Sequence, residues 1–326
     1  MSLSVRQYRA DDAACWDRFC EDSLQSTLLH TRRFLSYHRD RFVDRSLLIE
    51  EEGRLIGLFP AALKPGDESS VISHPGITYG GILHQGGLRG TRMVTALTKV
   101  CQYLRAIGHA RLLYKAVPFF YHRAPAQDDL YALFRLGATR SRCDLSCIVD
   151  LHYRLPVSER RRRCLKKATK AGVEIVEGRQ YFAGLWNVLA ANLAAKHGAR
   201  PVHSLDEMLL LAERFPDHIR CICAQRAGEI EAGVVLFVTA TTHHAQYIGA
   251  SAAGYHVSAL DRVFEHCMEI AWREGRRWFD FGISNEDQGM VLNDGLYKFK
   301  TEFGGSGAVH EFYELNLDMG ETNVSM

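Results

Sequence analysis

Residues 279–305 read FDFGISNEDQGMVLNDGLYKFKTEFGG, an apolar run followed by a polar loop and a short segment of aromatic and basic side chains. Tyr297, Lys298, Phe299 and Lys300 lie next to one another in that segment, which ends in two glycines. On a helix with about 100° between successive residues, Lys298 and Lys300 point roughly 200° apart. The pattern therefore predicts a strand, a loop and a helix on which the two lysines have different roles.

The 326-residue chain is long enough for two hydrophobic cores, because single cores stop growing near ~250 residues. Its 47% hydrophobic and 24% charged residues are typical of a globular protein. Lys and Arg number 40 against 38 Asp and Glu, and the net charge of +2 gives no overall field that would hold DNA or an anionic membrane. No apolar run approaches the roughly 20 residues of a membrane span. We therefore expect neither a DNA partner nor a membrane span.

The N-terminal residues MSLSVRQYRADDAACWDRF lack the hydrophobic segment of a signal peptide, so we expect a cytoplasmic protein. The nine cysteines are an odd number in a large chain, which favours reduced thiols over disulfides. Cys221 and Cys223 alternate within a strand pattern, and Cys143 and Cys147 lack a second pair. These spacings do not form a zinc site, and no metal is expected.

Both halves of the chain show a similar order of patterns: helices, strands joined by a tight turn, a helix, a strand, a helix and a strand. Glu52-Gly53 and Ala227-Gly228 mark the two tight turns. This order predicts an α/β protein with mixed sheets covered by helices. Because Pro156 follows a completed strand, the boundary is expected there. The predicted domains are residues 1–155 and 156–326.

Several segments carry a family resemblance. The strand WFDFGIS, the polar loop and GLYKFKTEFGG resemble the C-terminal signature of the Fem-type peptidyltransferases and their bacterial acyltransferase relatives. Further matching segments are FLSYHRDRFVDRSLLI with GLFPA, SHPGITYGGIL, and RRCLKKATKAGVEI. The motifs occur in the family's order over nearly the whole chain. The resemblance implies two tandem GNAT-like acyltransferase domains that transfer an acyl or aminoacyl group to an amine.

The resemblance implies roles for three residues of the last helix. In GNAT enzymes a tyrosine at this place often protonates the leaving thiolate, and Tyr297 matches it. In Fem-type proteins a Phe-Lys pair contacts the activated donor, and Phe299-Lys300 matches that pair. An ammonium suits the role because it offsets the negative charge that grows on a tetrahedral intermediate. The alternative is that Tyr297 and Phe299 pack while both lysines are solvated.

The resemblance also implies a donor site at the strand-to-helix turn IGASAAGYHVSALDRVF. In GNAT-like domains, splayed strands and a helix N-terminus offer backbone amides to the donor. The residues that match this site are Gly254, His256, Val257 and Ser258. The GNAT pyrophosphate loop carries an Arg or Gln before spaced glycines, and this turn has no Arg. A plain helix with Ser258 as its N-cap is the open alternative.

Two segments are candidates for binding the acceptor. SERRRRCLKKATK contains seven basic residues between a start signal at Ser158 and a stop signal at Gly172. By the resemblance, an arginine of this helix contacts acceptor phosphates, and Arg162 matches it; a solvated helix is the alternative. Tyr79, in SHPGITYGGIL, is a further candidate. The carboxylate that Fem-type proteins carry near this segment is missing, and its glycines fit a bulged strand equally well.

The last strand offers candidates for acid–base chemistry. Asp280 alternates with two phenylalanines and therefore faces the opposite side of the strand. It is a predicted catalytic residue, with capping of the strand end as the alternative, and Asn285 is predicted to bind substrate. His243 and His244 are neighbours in a strand and point in opposite directions, so they cannot bind one metal ion. Packing is expected for both histidines.

Three functional hypotheses follow. The first is an acyltransferase in which an acyl-CoA or similar donor binds the second half, and an amine, such as that of a cell-envelope or glycan precursor, attacks the carbonyl. Lys300 would stabilise the oxyanion and Tyr297 would protonate the leaving group. The second is a Fem-type aminoacyltransferase supplied by aminoacyl-tRNA, although the coiled-coil hairpin of many relatives is absent. The third is a non-catalytic GNAT-like module that binds a glycan or nucleotide precursor.

Overall fold

The computed structural model describes residues 3–197 and 201–318, without the side chains of residues 193–197. Contacts divide the chain into two compact units. The first runs to Asp144 and takes in Gln288–Met290 and the chain from Val309, and the second comprises Leu145–Asp287 and Val291–Ala308. The predicted boundary at residues 155/156 stays a prediction. In the sequence, the first unit ends at Asp144 and the second begins at Leu145, inside a strand. The final strand of the chain is divided between the two units.

The first unit contains helices on a three-stranded sheet and on a second series of strands. Its elements in chain order are β1 Leu3–Gln7, α1 Ala13–Asp22, α2 Arg32–Leu35, β2 Leu47–Glu51, β3 Arg54–Phe59, β4 Ala62–Lys64, β5 Asp67–Ile72, α3 Thr91–Ala106, β6 Arg111–Lys115, α4 Asp128–Arg135 and the first half of β7 Thr139–Asp150. The order β1-β2-β3 forms one sheet, and β4-β5-β6 continues into the last strand of the chain, β15.

The second unit follows the same plan. Its elements are α5 Glu159–Lys170, β8 Glu174–Glu177, α6 Phe182–His197, α7 Leu205–Arg214, β9 Ile219–Arg226, β10 Glu229–Val238, β11 Thr242–Ala250, α8 Ala252–Val257, α9 Ala259–Arg273, β12 Trp278–Ile283, β13 Asn285–Glu286, β14 Val291–Leu292, α10 Asp294–Thr301 and the start of β15 Ser306–Asn316. The strand order is β7-β12-β11-β10-β9-β8. Antiparallel strands with one parallel pair, β11 and β12, and helices confirm the predicted α/β class with mixed sheets.

Local sequence signals explain where several elements begin and end. Glu52 and Gly53 have φ of 51° and 77°, and Ala227 and Gly228 have φ of 51° and 85°. Positive φ at both central residues of a two-residue turn matches the twist of an antiparallel hairpin, which confirms both predicted turns. The side chain of Ser158 accepts a hydrogen bond from the amide of Arg161 at the start of α5, as predicted for its N-cap.

Each unit has its own hydrophobic core. In the first unit, α3 and α4 cover strands whose central side chains, such as Leu112 and Tyr114, are fully buried. In the second unit, α9 packs Phe264 against Phe279 and Phe281 of β12. The alternation along β12 therefore sends Asp280 to the opposite face, as predicted. All nine cysteines are free thiols. No described helix is both long and apolar enough to cross a bilayer.

Candidate active site

The parallel strands β11 and β12 pair over a short distance and then separate. Thr242, His243 and His244 pair with Trp278, Phe279 and Asp280. The pairing ends there, although β11 continues to Ala250 and β12 to Ile283. Against β7, the register of β12 shifts between Asp280 and Ile283. We call the separation beyond His244 and Asp280 the second-unit wedge.

Asp280 lies at the apex of the second-unit wedge and is fully buried. Its Oδ2 is 2.7 Å from Nδ1 of His244, and its Oδ1 accepts the hydroxyl of Ser146 at 2.5 Å and the amide of Gly282 at 2.8 Å. Gly282 has φ of 77°, which a side chain would strain. These contacts give the carboxylate several donors, so both the catalytic and the capping interpretation of Asp280 have contacts that fit them.

Lys300 is buried beside the same strand, with 3% of its surface exposed. Its ammonium donates to the carbonyls of Gly282 at 2.8 Å and Ile283 at 2.6 Å. Burial lowers the pKa of Lys300 to about 8, although the charge of Asp280 opposes the shift. Lys298 is exposed. The two lysines therefore have different surroundings, as the helix geometry predicts, and the alternative in which both are solvated is wrong.

The aromatic residues of α10 pack at the edge of the core. Tyr297 is partly buried, and burial, reinforced by Cys147, raises the pKa of its phenol. The Tyr297 hydroxyl lies 2.9 Å from the position that a Cβ would take at Gly307, so a larger residue there would displace it. The Phe299 ring is 5.4 Å from that of Phe303. The packing alternative thus describes the contacts of Phe299, and the role of both residues toward a donor stays a prediction.

The turn after β11 differs in detail from the prediction. A short additional helix, α8, precedes α9 and is capped by Ser251, whose hydroxyl accepts the amide of Gly254 at 2.9 Å. Ser258 adopts the left-handed conformation between α8 and α9 and makes no capping bond with its side chain. A Cβ at Gly254 would lie 2.1 Å from the carbonyl oxygen of Glu231, so this glycine is needed for close packing against β10. Ser258 therefore occupies the N-cap position of α9, as the alternative expects, but without a capping bond from its side chain.

Other members of the predicted donor site have varied surroundings. His256 is exposed and Val257 belongs to the core. The amides of Tyr255 and Ser258 donate to carbonyls of the same turn. Together with the bond from Gly254 to Ser251, these contacts occupy three of the backbone amides that are expected to face the donor. Donor binding by Gly254, His256, Val257 and Ser258 stays a prediction.

The arginines of α5 divide into a buried anchor and an exposed face. Arg161 is 3% exposed and contacts Asp261 at 2.6 Å and Glu302 at 2.9 Å. Its guanidinium also lies 4.7 Å from the ring centre of Phe299. Arg162, the predicted phosphate ligand, is exposed and bonds to Glu159 and to the carbonyl of Val157. The structure thus connects Arg161, not Arg162, to α10.

The remaining predicted site residues have internal partners. Tyr79 is buried in the first unit, where its hydroxyl lies 3.4 Å from that of Thr27. Gly80 and Gly81 allow the chain to approach Ser73 and Tyr114 closely, but they lie in the loop between β5 and α3 and do not form the bulged strand of the alternative. Asn285 accepts the amide of Leu145 through its side chain. Substrate binding by Arg162, Tyr79 and Asn285 stays a prediction.

A cavity of about 590 Å³ opens in the first unit. Its lining includes Tyr8, Asp17, Arg32, His38 and His74, and none of the predicted site residues. The guanidinium of Arg32 stacks 3.4 Å from the ring centre of Tyr8, and its Nε and Nη2 are shielded from solvent. This charge is therefore part of the wall rather than an accessible ligand contact.

Residues 157–298 match the model of the acetyltransferase (GNAT) domain. The second half of the chain carries a GNAT acetyltransferase domain. The matched range begins just before α5 and ends inside α10, so it includes both strands of the second-unit wedge. No curated protein matches the chain.

Solved structures show the same fold over almost the whole chain. FemX superposes with a TM-score of 0.68 at 11% identity, covering 97% of this chain and 97% of that one. L-PGS from Bacillus licheniformis gives a TM-score of 0.63 at 12% identity, covering 95% of this chain and 92% of that one. A tandem GNAT protein from the clavulanic acid biosynthesis pathway gives 0.55 at 10%, covering 97% and 99%. The tandem GNAT fold and, at the level of the fold, the resemblance to Fem-type proteins are confirmed, and the GNAT domain of the second half supports a transferase enzyme.

Sequence reasoning missed two residues of this site. His244 was expected only to pack, and Ser146 was not considered. Asp280 was recognised from strand alternation, but its partners lie 36 and 134 positions away in the chain. The register of β11 against β12 brings His244 opposite Asp280, and no local pattern encodes that register.

Proposed function

We propose that the protein transfers an acyl group from an activated donor such as acyl-CoA to an amine, with the donor carbonyl at the second-unit wedge. The observation that carries this proposal is the buried ammonium of Lys300, fixed at the end of β12, a strand of the matched GNAT domain. Separating parallel strands present main-chain groups that a continuous sheet would pair. These groups suit the amide-bearing arm of an acyl-CoA.

Lys300 has the properties that an oxyanion partner needs. Its position is fixed in advance by two strand carbonyls, so little reorganisation is required when charge develops. Those carbonyls take two of the three N–H bonds of the ammonium. The third would donate to the carbonyl oxygen of the donor as the amine attacks. A pKa of about 8 keeps much of the side chain charged near neutral pH.

Tyr297 is the proposed donor of a proton to the leaving group. Because burial raises the pKa of its phenol, the hydroxyl keeps its proton at neutral pH. In the proposed step, a C–N bond forms between the amine and the donor carbonyl and the C–S bond of the thioester breaks. The departing thiolate takes the phenolic proton, which solvent replaces. No covalent enzyme intermediate is needed.

A second candidate donor, aminoacyl-tRNA, is favoured by the exposed face of α5. Six basic residues of this helix are exposed, and at about 100° per residue they share one arc of roughly 160°. They are Arg160, Arg162, Arg163, Lys166, Lys167 and Lys170. Such an arc suits a phosphodiester backbone, since each neutralised phosphate releases counterions. Arg161 links the same helix to Glu302, close to Lys300 in the chain.

The two donors can be separated by incubating the purified protein with an amine mixture and either acetyl-CoA or a charged tRNA pool. Product formation from acetyl-CoA that survives ribonuclease supports the first donor. Product that requires tRNA and disappears with ribonuclease supports the second. Absence of acyl or aminoacyl product under both conditions, with the protein folded, would contradict catalysis and favour a binding module.

Lys300→Met tests the site itself, with Lys298→Met on the exposed side of α10 as its matched control. We expect turnover to fall about 100-fold in Lys300→Met, because a fixed oxyanion partner is lost. Turnover in Lys298→Met should change less than about 2-fold. Thermal unfolding of both variants checks that folding is retained. An unchanged rate in Lys300→Met would remove this lysine from the mechanism.

A further inference from the structure

His244 occupies the last paired position of β11, directly opposite Asp280 at the apex of the second-unit wedge. In a parallel pair, opposing residues project from the same face of the sheet. The two side chains meet with Nδ1 of His244 at 2.7 Å from Oδ2 of Asp280. The imidazole is therefore held in one orientation by a carboxylate on the neighbouring strand.

Asp280 is itself fixed from two further directions. The Ser146 hydroxyl on β7 and the Gly282 amide on β12 both donate to Oδ1, which leaves Oδ2 to His244. A buried carboxylate with these donors remains an acceptor, so the hydrogen between the pair belongs to Nδ1. The neutral imidazole then carries its lone pair on Nε2.

The exposure of the pair shows which member can meet a substrate. The Asp280 side chain is fully buried, whereas 14% of the His244 side chain is exposed. His243, its neighbour, is fully buried and contacts Glu274 at 3.0 Å on the other face of the strand. The adjacent histidines thus have different environments. His243 packs as predicted, while His244 reaches the surface at the wedge.

Two ionisable groups on neighbouring elements act on the pair. Lys300 of α10 carries a positive charge and donates to the carbonyls of Gly282 and Ile283, which follow Asp280 in β12. Cys147 of β7 is a neutral thiol, because burial raises its pKa to about 12. When His244 becomes protonated, the negative charge of the Asp280 carboxylate offsets the positive charge of Lys300 nearby.

We propose that His244, positioned by Asp280 and Ser146, is the general base that removes the proton from the acceptor amine. This inference rests on the proposed function. As the nitrogen bonds to the donor carbonyl, its proton passes to Nε2 and gives an imidazolium. Asp280 stabilises that cation without taking the proton. After the C–S bond of the thioester breaks, the imidazolium releases its proton to solvent.

Kinetic measurements use the wild type, His244→Gln, Asp280→Asn and the exposed control Lys298→Met, with acetyl-CoA or charged tRNA as donor. A primary alkylamine and hydroxylamine, which is largely uncharged at neutral pH, serve as acceptors. We expect His244→Gln to lower turnover of the alkylamine about 100- to 1,000-fold and to move the acidic limb of its pH–rate profile to higher pH, because the alkylammonium must then lose its proton to solvent. Loss with hydroxylamine should be at least 10-fold smaller. Asp280→Asn should give an intermediate loss with a displaced pH profile.

A purely structural role predicts equal losses with both acceptors and an acidic limb that stays in place, and that outcome would overturn the proposal. So would turnover within 3-fold of wild type in His244→Gln. Nitrogen chemical shifts of labelled histidine provide a test that needs no turnover: His244 should be protonated on Nδ1, and Asp280→Asn should disturb this preference. A ring protonated on Nε2 in the wild type refutes the base. Absence of product with either donor contradicts the proposed function separately.

Discussion

The two units each contain a parallel strand pair of similar length with different surroundings at its end. In the first unit, β5 and β6 pair over Ser70–Ile72 and Arg111–Leu113. In the second, β11 and β12 pair over Thr242–His244 and Trp278–Asp280. The first pair is closed by the chain that follows β5. The second ends in a histidine, an aspartate and a lysine.

Closure of the first pair is visible in its hydrogen bonds. The amide of Ser73 donates to the carbonyl of Leu113 and that of Gly80 to Lys115, both at 2.9 Å. Nearby, the hydroxyl of Tyr114 donates to the buried carboxyl of Asp129 at 2.7 Å. These groups satisfy one another inside the unit. A repeated topology thus does not repeat its chemistry, because the side chains at the strand ends decide which groups lie where the strands separate.

Each unit also buries a lysine, and the pKa values of the two side chains differ. Lys115 donates its ammonium to the carbonyl of Ile77, and burial, reinforced by Arg142, lowers its pKa to about 7. The pKa of Lys300 is lowered only to about 8, because the charge of Asp280 opposes the effect of burial. The carboxylate of Asp280 thus favours the charged form of Lys300, whereas burial in the first unit disfavours the charged form of Lys115.

The largest effect on stability should come from Arg161, which anchors α5 to α9 and α10 in the second unit. Arg161→Met leaves the carboxylates of Asp261 and Glu302 buried without their cation, which should cost about 3–5 kcal/mol of unfolding free energy. Burial already raises the pKa of Asp261 despite the arginine. Arg162→Met, which removes an exposed pair, should cost less than about 1 kcal/mol. Urea unfolding measures both, and equal losses would contradict the division of α5 into an anchor and an exposed face.

An intermediate effect on the free energy of unfolding is expected when pH changes the protonation of Lys115. The folded-state pKa of about 7 lies below the usual 10.5, so above pH 7 the unfolded state binds more protons and stability rises with pH. Between pH 7 and 9.5 this adds roughly 2–3 kcal/mol in the wild type, and Lys115→Met should remove that gain. Denaturant unfolding across this range provides the measurement.

The same variant sharpens the contrast between the two lysines. Lys115→Met should change turnover less than about 3-fold, since the first strand pair is closed and lacks the acid–base groups of the second. If Lys115→Met still unfolds cooperatively but loses as much turnover as we expect for Lys300→Met, the two lysines do not differ in their contribution to turnover.

The smallest effect should arise at the turn that follows β11. Ser251→Ala removes the cap of α8 and a hydrogen bond to Glu231, which should cost about 1–2 kcal/mol. Ser258→Ala removes no capping bond and should stay within about 0.5 kcal/mol. Thermal unfolding compares the two variants. A larger loss at Ser258 would show that the left-handed junction depends on its hydroxyl.

Local patterns predicted much of the fold and part of the site. The tight turns at Glu52-Gly53 and Ala227-Gly228, the cap at Ser158 and the inward face of Asp280 follow from short-range geometry. The cap at Ser251 was not predicted, because Ser251 and Ser258 are equally suitable residue types and each precedes its own helix. His244 was assigned to packing for a related reason, since its partner lies on another strand.

The sequence by itself determined the order of strands and helices, the two-domain length and the placement of Lys298 and Lys300 on different sides of one helix. These properties depend on residues close together in the chain, where periodicity and turn chemistry act. Tertiary structure alone decided that Asp280 meets His244 and Ser146, that Arg161 rather than Arg162 reaches α10, and that one strand pair is closed while the other ends in ionisable groups. Strand register and burial bring distant residues together, and burial sets their charge.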